Sequence, residues 1–140
     1  VTSREAATIA CGLDAVRAYE LVKTFYTRYG NAVERAFAEA VGGRVGGRGE
    51  PDVSTRLGEF EFCASANSKN AAGEAAQRAR VGVGRIVQVS GPVRPGRISA
   101  VEFLRLHGVP EPDRVAGDCQ VRALTLARAE ADRQLALEGV

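Results

Sequence analysis

Histidine and lysine are scarce in this chain, and its cysteines are few and unpaired. Cys11, Cys63 and Cys119 stand far apart with no CxxC pair, which argues against both a disulfide framework and a zinc knuckle. They read as free, mostly buried thiols. The single histidine, His107, reads as a surface residue in a loop. It is not near Cys63 in sequence, so that cysteine reads as a small core side chain and not as a nucleophile. No apolar run approaches the roughly 20 residues of a membrane span, and the N-terminus lacks the charged, apolar and small-residue succession of a signal peptide. A cytoplasmic protein without a membrane partner is expected. Internal repeats and low-complexity segments are absent too.

What is present is an ordinary globular composition. Hydrophobic residues make up 45% and charged residues 26% of 140 residues, enough for one domain with a core and too little for two. The net charge of +2 does not by itself announce nucleic acid. The kind of base says more. Only Lys23 and Lys69 are lysine among 19 basic residues, leaving 17 arginines (19 − 2), and the arginine fork suits phosphates and guanine edges. A GC-rich genome gives the same bias.

The first third reads as helix. Ser3 caps a segment that Gly12 ends, and Asp14 caps a second one carrying Val16, Leu21, Val22, Phe25, Tyr26 and Tyr29. Gly30-Asn31 is expected to break it before a short amphipathic helix from Ala32 to Val41. The glycines from Gly42 to Gly49 then suit turns and a short strand. Val53-Ser54 reads as a strand entered from Asp52, Thr55 to Gly58 as a hairpin turn, and Glu59 to Ser65 as an alternating strand. Its two faces carry Phe60, Phe62 and Ala64, and Glu59, Glu61, Cys63 and Ser65. A helix over Ala71 to Arg80, a buried strand over Ile86 to Val89, a helix over Ser99 to Leu106 with Glu102 completing a capping box, and a C-terminal helix from Asp118 to Glu138 follow. The fold class expected is α/β, a small mixed sheet of about four strands flanked by helices.

One constellation carries chemistry. Asp52 at a strand start and Glu61 in the next strand approach each other if those strands pair, and Glu34 on the preceding helix is placed to join them. Hard oxygen ligands of this kind suit magnesium or manganese, with the carbonyl of residue 62 as a further ligand. Such a site activates water and offsets charge at a phosphodiester. Glu34, then Pro51-Asp52, then Glu61-Phe62-Cys63 resembles the PD-(D/E)XK nuclease superfamily. More narrowly, Gly30-Asn31-Ala32-Val33-Glu34 and the run Phe60-Glu61-Phe62-Cys63-Ala64-Ser65-Ala66-Asn67-Ser68-Lys69-Asn70 resemble a group of type II restriction endonucleases. The resemblance covers about residues 30–90. It implies a restriction-endonuclease-like core and magnesium-dependent DNA cleavage, with Asp52, Glu61 and Glu34 at the metal.

The family's lysine, which orients the attacking water, falls at Cys63. Three accounts follow: Lys69 reaches back to substitute, catalysis is weakened, or the fold is kept for binding. Contacts to DNA are expected from Arg17, Arg44, Arg48, Asn67, Asn70 and Arg78, with Arg80 beside the last, and palindromic cleavage favours a homodimer. Turn chemistry alone also accounts for Asn67 and Asn70. The alternative from another class is a non-catalytic DNA-binding protein. Its helix-turn-helix would run from Thr2 to Tyr26, with Asp14 to Lys23 as the recognition helix carrying Arg17.

Overall fold

The computed structural model describes residues 15–137. Helix α1 spans Ala15–Ala40, strands β1, β2 and β3 span Arg44–Val45, Val53–Thr55 and Gly58–Cys63, and helix α2 spans Ala71–Val81. Strands β4 (Ile86–Gln88) and β5 (Arg97–Ser99) follow, then helices α3 (Ala100–Leu106) and α4 (Pro112–Leu137). The chain is mixed α/β, with one five-stranded sheet in the order β1-β2-β3-β4-β5. The described residues divide into two compact units. One contains 15–32 and 122–137, the two outer helical stretches, where Arg28 pairs with Glu130. The other, Val33–Val121, contains the sheet and every residue of the carboxylate constellation.

Strands β1, β2 and β3 are antiparallel, and β3, β4 and β5 are parallel. The β2–β3 hairpin is closed by Arg56-Leu57, with Thr55 opposite Gly58. Gly58 has φ +117°, and a side chain there would meet the Arg85 guanidinium. That guanidinium donates to the Leu57 carbonyl and lies over the Phe60 ring. At the other end of β2, Gly46 donates its N–H to the Asp52 carbonyl. A Cβ on Gly46 would collide with the Pro51 carbonyl. The glycine is therefore what lets the β1 end close over the backbone of Pro51-Asp52.

Alternation along β3 sorts two chemistries onto two faces. Phe60 and Phe62 pack with Phe103 at ring separations of 5.0 and 5.2 Å, and Phe62 meets Phe37 of α1 at 5.7 Å. Edge-to-face packing of this kind adds to the area these rings remove from water. Glu61 and Cys63 take the opposite face, beneath α2. Five of the six buried polar residues, Glu61, Glu74, Gln77, Gln88 and Arg97, belong to this side. The sixth is His107.

Several boundaries differ from the sequence expectation. Helix α1 runs through Gly30-Asn31 without a break, because a single helical glycine costs only about 1 kcal/mol and no proline removes a hydrogen bond. The helix expected over Ser3 to Gly12 lies outside the described residues, and of the expected Asp14 to Lys23 segment the described part, from Ala15, forms the start of α1. Helix α4 begins six residues earlier than expected, with Pro112 first, where its missing N–H costs nothing. His107 is buried: Nδ1 donates to the Phe103 carbonyl and Nε2 meets the Thr55 hydroxyl, each at 2.7 Å. The fifth strand, β5, is the addition to the four expected. It returns parallel to β4 through residues 89–96 alone, a short link made possible because three-residue strands span only about 10 Å.

Candidate functional site

Strands β2 and β3 stop pairing at Val53 and Phe60, and beyond that point side chains take over from the ladder. The Asp52 N–H donates to Glu61 Oε2, and the Phe62 N–H donates to Asp52 Oδ2, both at 2.9 Å. The two carboxylates are thus held by backbone where the strands splay. Glu34, one turn before Phe37 on α1, lies near enough to Asp52 and Glu61 for both to act on its carboxyl. Three carboxyl groups from a helix, a loop end and a strand interior meet at one place.

Their electrostatics follow from burial and crowding. Burial first, then the charges of Asp52 and Glu61, push Glu34 up to about 8. Glu61, only 1% exposed, is also raised, by burial and by the neighbouring Asp52 carboxylate, against the opposing pull of the Asp52 N–H and of Arg80. Arg80 Nη1 lies 2.5 Å from Glu61 Oε1. Glu34 therefore holds a proton near neutral pH that an isolated carboxyl would have released.

Oxygen donors of this kind fit a hard divalent cation, whose charge would replace those protons. As they stand, Asp52 and Glu61 accept from backbone N–H groups and Glu61 pairs with Arg80. Among the described residues no group of three or more His, Cys, Asp or Glu is already arranged to hold a metal ion. The carbonyl of Phe62 accepts from Gln77 Nε2 at 3.2 Å, which leaves it one lone pair.

Cys63 lies buried on the Glu61 face, its thiol directed at the Val87 carbonyl. Burial pushes the thiol up, overcoming Arg97 nearby. It is therefore neutral, and the repulsion that a thiolate would exert on a phosphate does not arise. Lys69 acts electrostatically on both Glu34 and Cys63. Its stem lies along α2 at Gly73, where a Cβ would meet Lys69 Cβ and Cδ at 3.7 and 3.5 Å. The lysine of this region thus comes from the turn and not from β3.

The remaining candidates are dispersed. Asn70 caps α2, accepting the Gly73 N–H at 2.8 Å, so its side-chain oxygen has a structural task. Asn67 is exposed in the same turn. Arg44 pairs with Glu50 at 3.6 Å and Arg78 with Glu74 at 3.3 Å, and Arg48 is exposed at the β1–β2 turn. Arg17, on the N-terminal part of α1, pairs with Glu20 at 3.1 Å.

Sequence reasoning missed the polar layer of Glu74, Gln77, Gln88 and Arg97. One signal was available: apart from Val81, α2 offers only alanines as apolar residues, and Glu74, Gln77 and Arg80 recur at i, i+3 on one side. A helix with that composition turns polar groups inward if it packs at all. No helix among the described residues is long and apolar enough to cross a membrane. Compared with protein-family models, with curated proteins and with solved structures, the chain matches none.

Proposed function

We propose that the chain is a magnesium- or manganese-dependent DNA endonuclease of the restriction-endonuclease type, in which Lys69 supplies the cation that Cys63 lacks. The observation that carries this reading is the convergence of Glu34, Asp52 and Glu61 from three separate segments, with the Lys69 charge felt at Glu34. A single buried carboxylate needs only a structural explanation. Glu34 and Glu61, both raised beside the Asp52 carboxylate, lie in a repulsive field that a cation relieves.

Each residue has a role under this reading. Asp52 and Glu61, fixed by the backbone N–H groups they accept, present oxygens whose positions are set before any ligand arrives. A bound divalent cation supplies an acidified water and neutralises charge at the phosphodiester. Lys69 has three rotatable donors on a flexible stem, which suits it to orient a water and to meet the charge developing on phosphate. Glu34 gives up its proton and adds its charge to the site. Exposed Arg44, Arg48 and Arg78 suit backbone phosphates, and a twofold dimer suits cleavage of both strands.

The test is incubation of the protein with mixed duplex DNA and magnesium or manganese, beside Asp52→Asn. Metal-dependent cleavage lost in the variant supports the reading. No cleavage, together with no magnesium or manganese binding by calorimetry, overturns it.

A further inference from the structure

Lys69 sits in a turn, and a turn places a side chain only as well as its own backbone is held. The turn after β3 is held from one direction. Ser90 binds the Ala64 carbonyl through both its N–H, at 3.1 Å, and its hydroxyl, at 2.8 Å. Arg97 Nη1 reaches the carbonyls of Ser65 and Ala66, each at 3.4 Å, and Arg94 Nη1 donates to Ala66 at 3.1 Å. Asn70 closes the far end by capping α2.

Arg97 is the centre of this arrangement. Its side chain is fully buried. Nη1 donates to Gln88 Oε1 at 3.0 Å, and Nη2 lies 3.2 Å from Glu74 Oε2. Gln88 in turn holds the return from β4 to β5, its Nε2 donating to the carbonyls of Ser90 and Pro92 at 2.9 and 2.8 Å. Nε and Nη2 of Arg97 have no hydrogen-bond partner of good geometry, so this buried cation is kept at a cost. An apolar residue would fill the same space more cheaply. What the guanidinium adds is a single rigid fork joining β4, α2 and the backbone of the turn.

We infer that Arg97, clamped by Gln88 and Glu74, is a positioning residue that fixes the turn from Ala64 to Asn70 and thereby sets where Lys69, whose stem lies at Gly73, is presented. The role of Lys69 rests on the nuclease reading; the placement of Lys69 does not. Arg97 never touches substrate and acts through Ser65 and Ala66.

The chain has only two lysines, Lys23 and Lys69, so reductive methylation with carbon-13 formaldehyde, which retains the charge, labels Lys69 with one other side chain and the α-amino group. Lys23→Arg and the lower titration range of the α-amine assign the resonances. In the parent protein the Lys69 methyl resonance is expected away from that of Lys23, and Glu34→Gln moves it. Arg97→Gln is expected to bring it to the free-lysine position, Arg97→Lys not to restore it, and Arg94→Gln to shift it part of the way. In cleavage assays Arg97→Gln lowers kcat about 100-fold, the usual effect of a small misplacement, with KM little changed.

A folded Arg97→Gln protein whose Lys69 resonance stays in place overturns the inference. Should that variant not fold, an unmoved resonance in Arg94→Gln does the same, since Arg94 is half-exposed and shares the Ala66 carbonyl. Sensitivity to Arg97→Gln without sensitivity to Glu34→Gln overturns the nuclease reading and leaves the positioning intact.

Discussion

Asp52 and Glu61 hold each other through backbone: the N–H of Asp52 donates to Glu61 Oε2, and the N–H of Phe62 donates to Asp52 Oδ2, at the same 2.9 Å. The exchange stands where the next ladder pair would be if β2 continued, so the carboxylates replace main-chain hydrogen bonds at the point of divergence. Removing either acid leaves a donor beside the strand end without its partner. Asp52→Ala is expected to destabilise the fold by about 1–3 kcal/mol, the cost of a lost charged hydrogen bond, whereas Asp52→Asn, which keeps an acceptor oxygen, costs less. Urea denaturation compares the two.

Glu34 makes stability depend on pH in an unusual direction. Its carboxyl is raised from 4.5 to about 8 in the folded protein, so between these values the folded chain holds a proton that the unfolded chain has released. The stabilising contribution is therefore fully present below about pH 4.5 and is lost as pH rises through 8, with a slope of up to about 1.4 kcal/mol per pH unit. Metal-free protein is expected to lose urea resistance from pH 5 to 8. Glu34→Gln flattens that dependence and is the more stable form at pH 8. An unchanged slope in the variant would assign the effect elsewhere.

Metal affinity carries the opposite dependence. Under the proposed metal-binding reading a cation displaces the proton on Glu34, so calorimetric magnesium affinity is expected to rise with pH up to about 8 and to be accompanied by proton release. Buffers of different ionisation enthalpy measure that release directly.

Under the proposed reading Arg80 competes with the cation for Glu61. Its guanidinium, about half-exposed, compensates a carboxylate that is nearly fully buried. Arg80→Gln is expected to lower the melting temperature in the absence of metal. The rise in melting temperature on adding magnesium is then larger in the variant than in the parent, because the cation becomes the main compensation for Glu61. An equal rise in both would show that Arg80 and the metal do not share that oxygen.

The strands that build the carboxylate site were legible because local signals were strong. Alternation gave β3 and put Glu61 beside Cys63, and the Pro51-Asp52 turn marked the entry to β2. The cap at Ser99 was equally plain, accepting the Glu102 N–H at 3.0 Å. Strand β5 was not legible, because Arg97–Ser99 is too short to show a period. Its arginine is one of 17 in the chain with no local signal to set it apart, and only the parallel pairing with β4 places it beside Gln88 and Glu74. Gly30 misled for a different reason: local propensity favours a break there, but the cost is small against packing of Val33 and Phe37. His107 misled as well, since its two ring nitrogens find partners 4 and 52 residues away.

Asn70 separates structural from binding roles in the turn. Asn70→Ala is expected to cost about 1 kcal/mol through the lost cap and to leave the salt dependence of any DNA binding unchanged. Arg78→Ala instead reduces that salt slope by about 1 if the arginine meets a phosphate. Fluorescence anisotropy across a salt series distinguishes them.

The central claim is that the ammonium missing at Cys63 is supplied from Lys69, and a double substitution tests it most directly. Cleavage of duplex DNA with magnesium is measured for the parent, Lys69→Ala, and Lys69→Ala combined with Cys63→Lys. The expected result is metal-dependent cleavage by the parent, a loss of at least about 100-fold in Lys69→Ala, and partial recovery in the double variant, where the ammonium returns on β3. Cleavage that is unaffected by Lys69→Ala in a folded protein would contradict the claim.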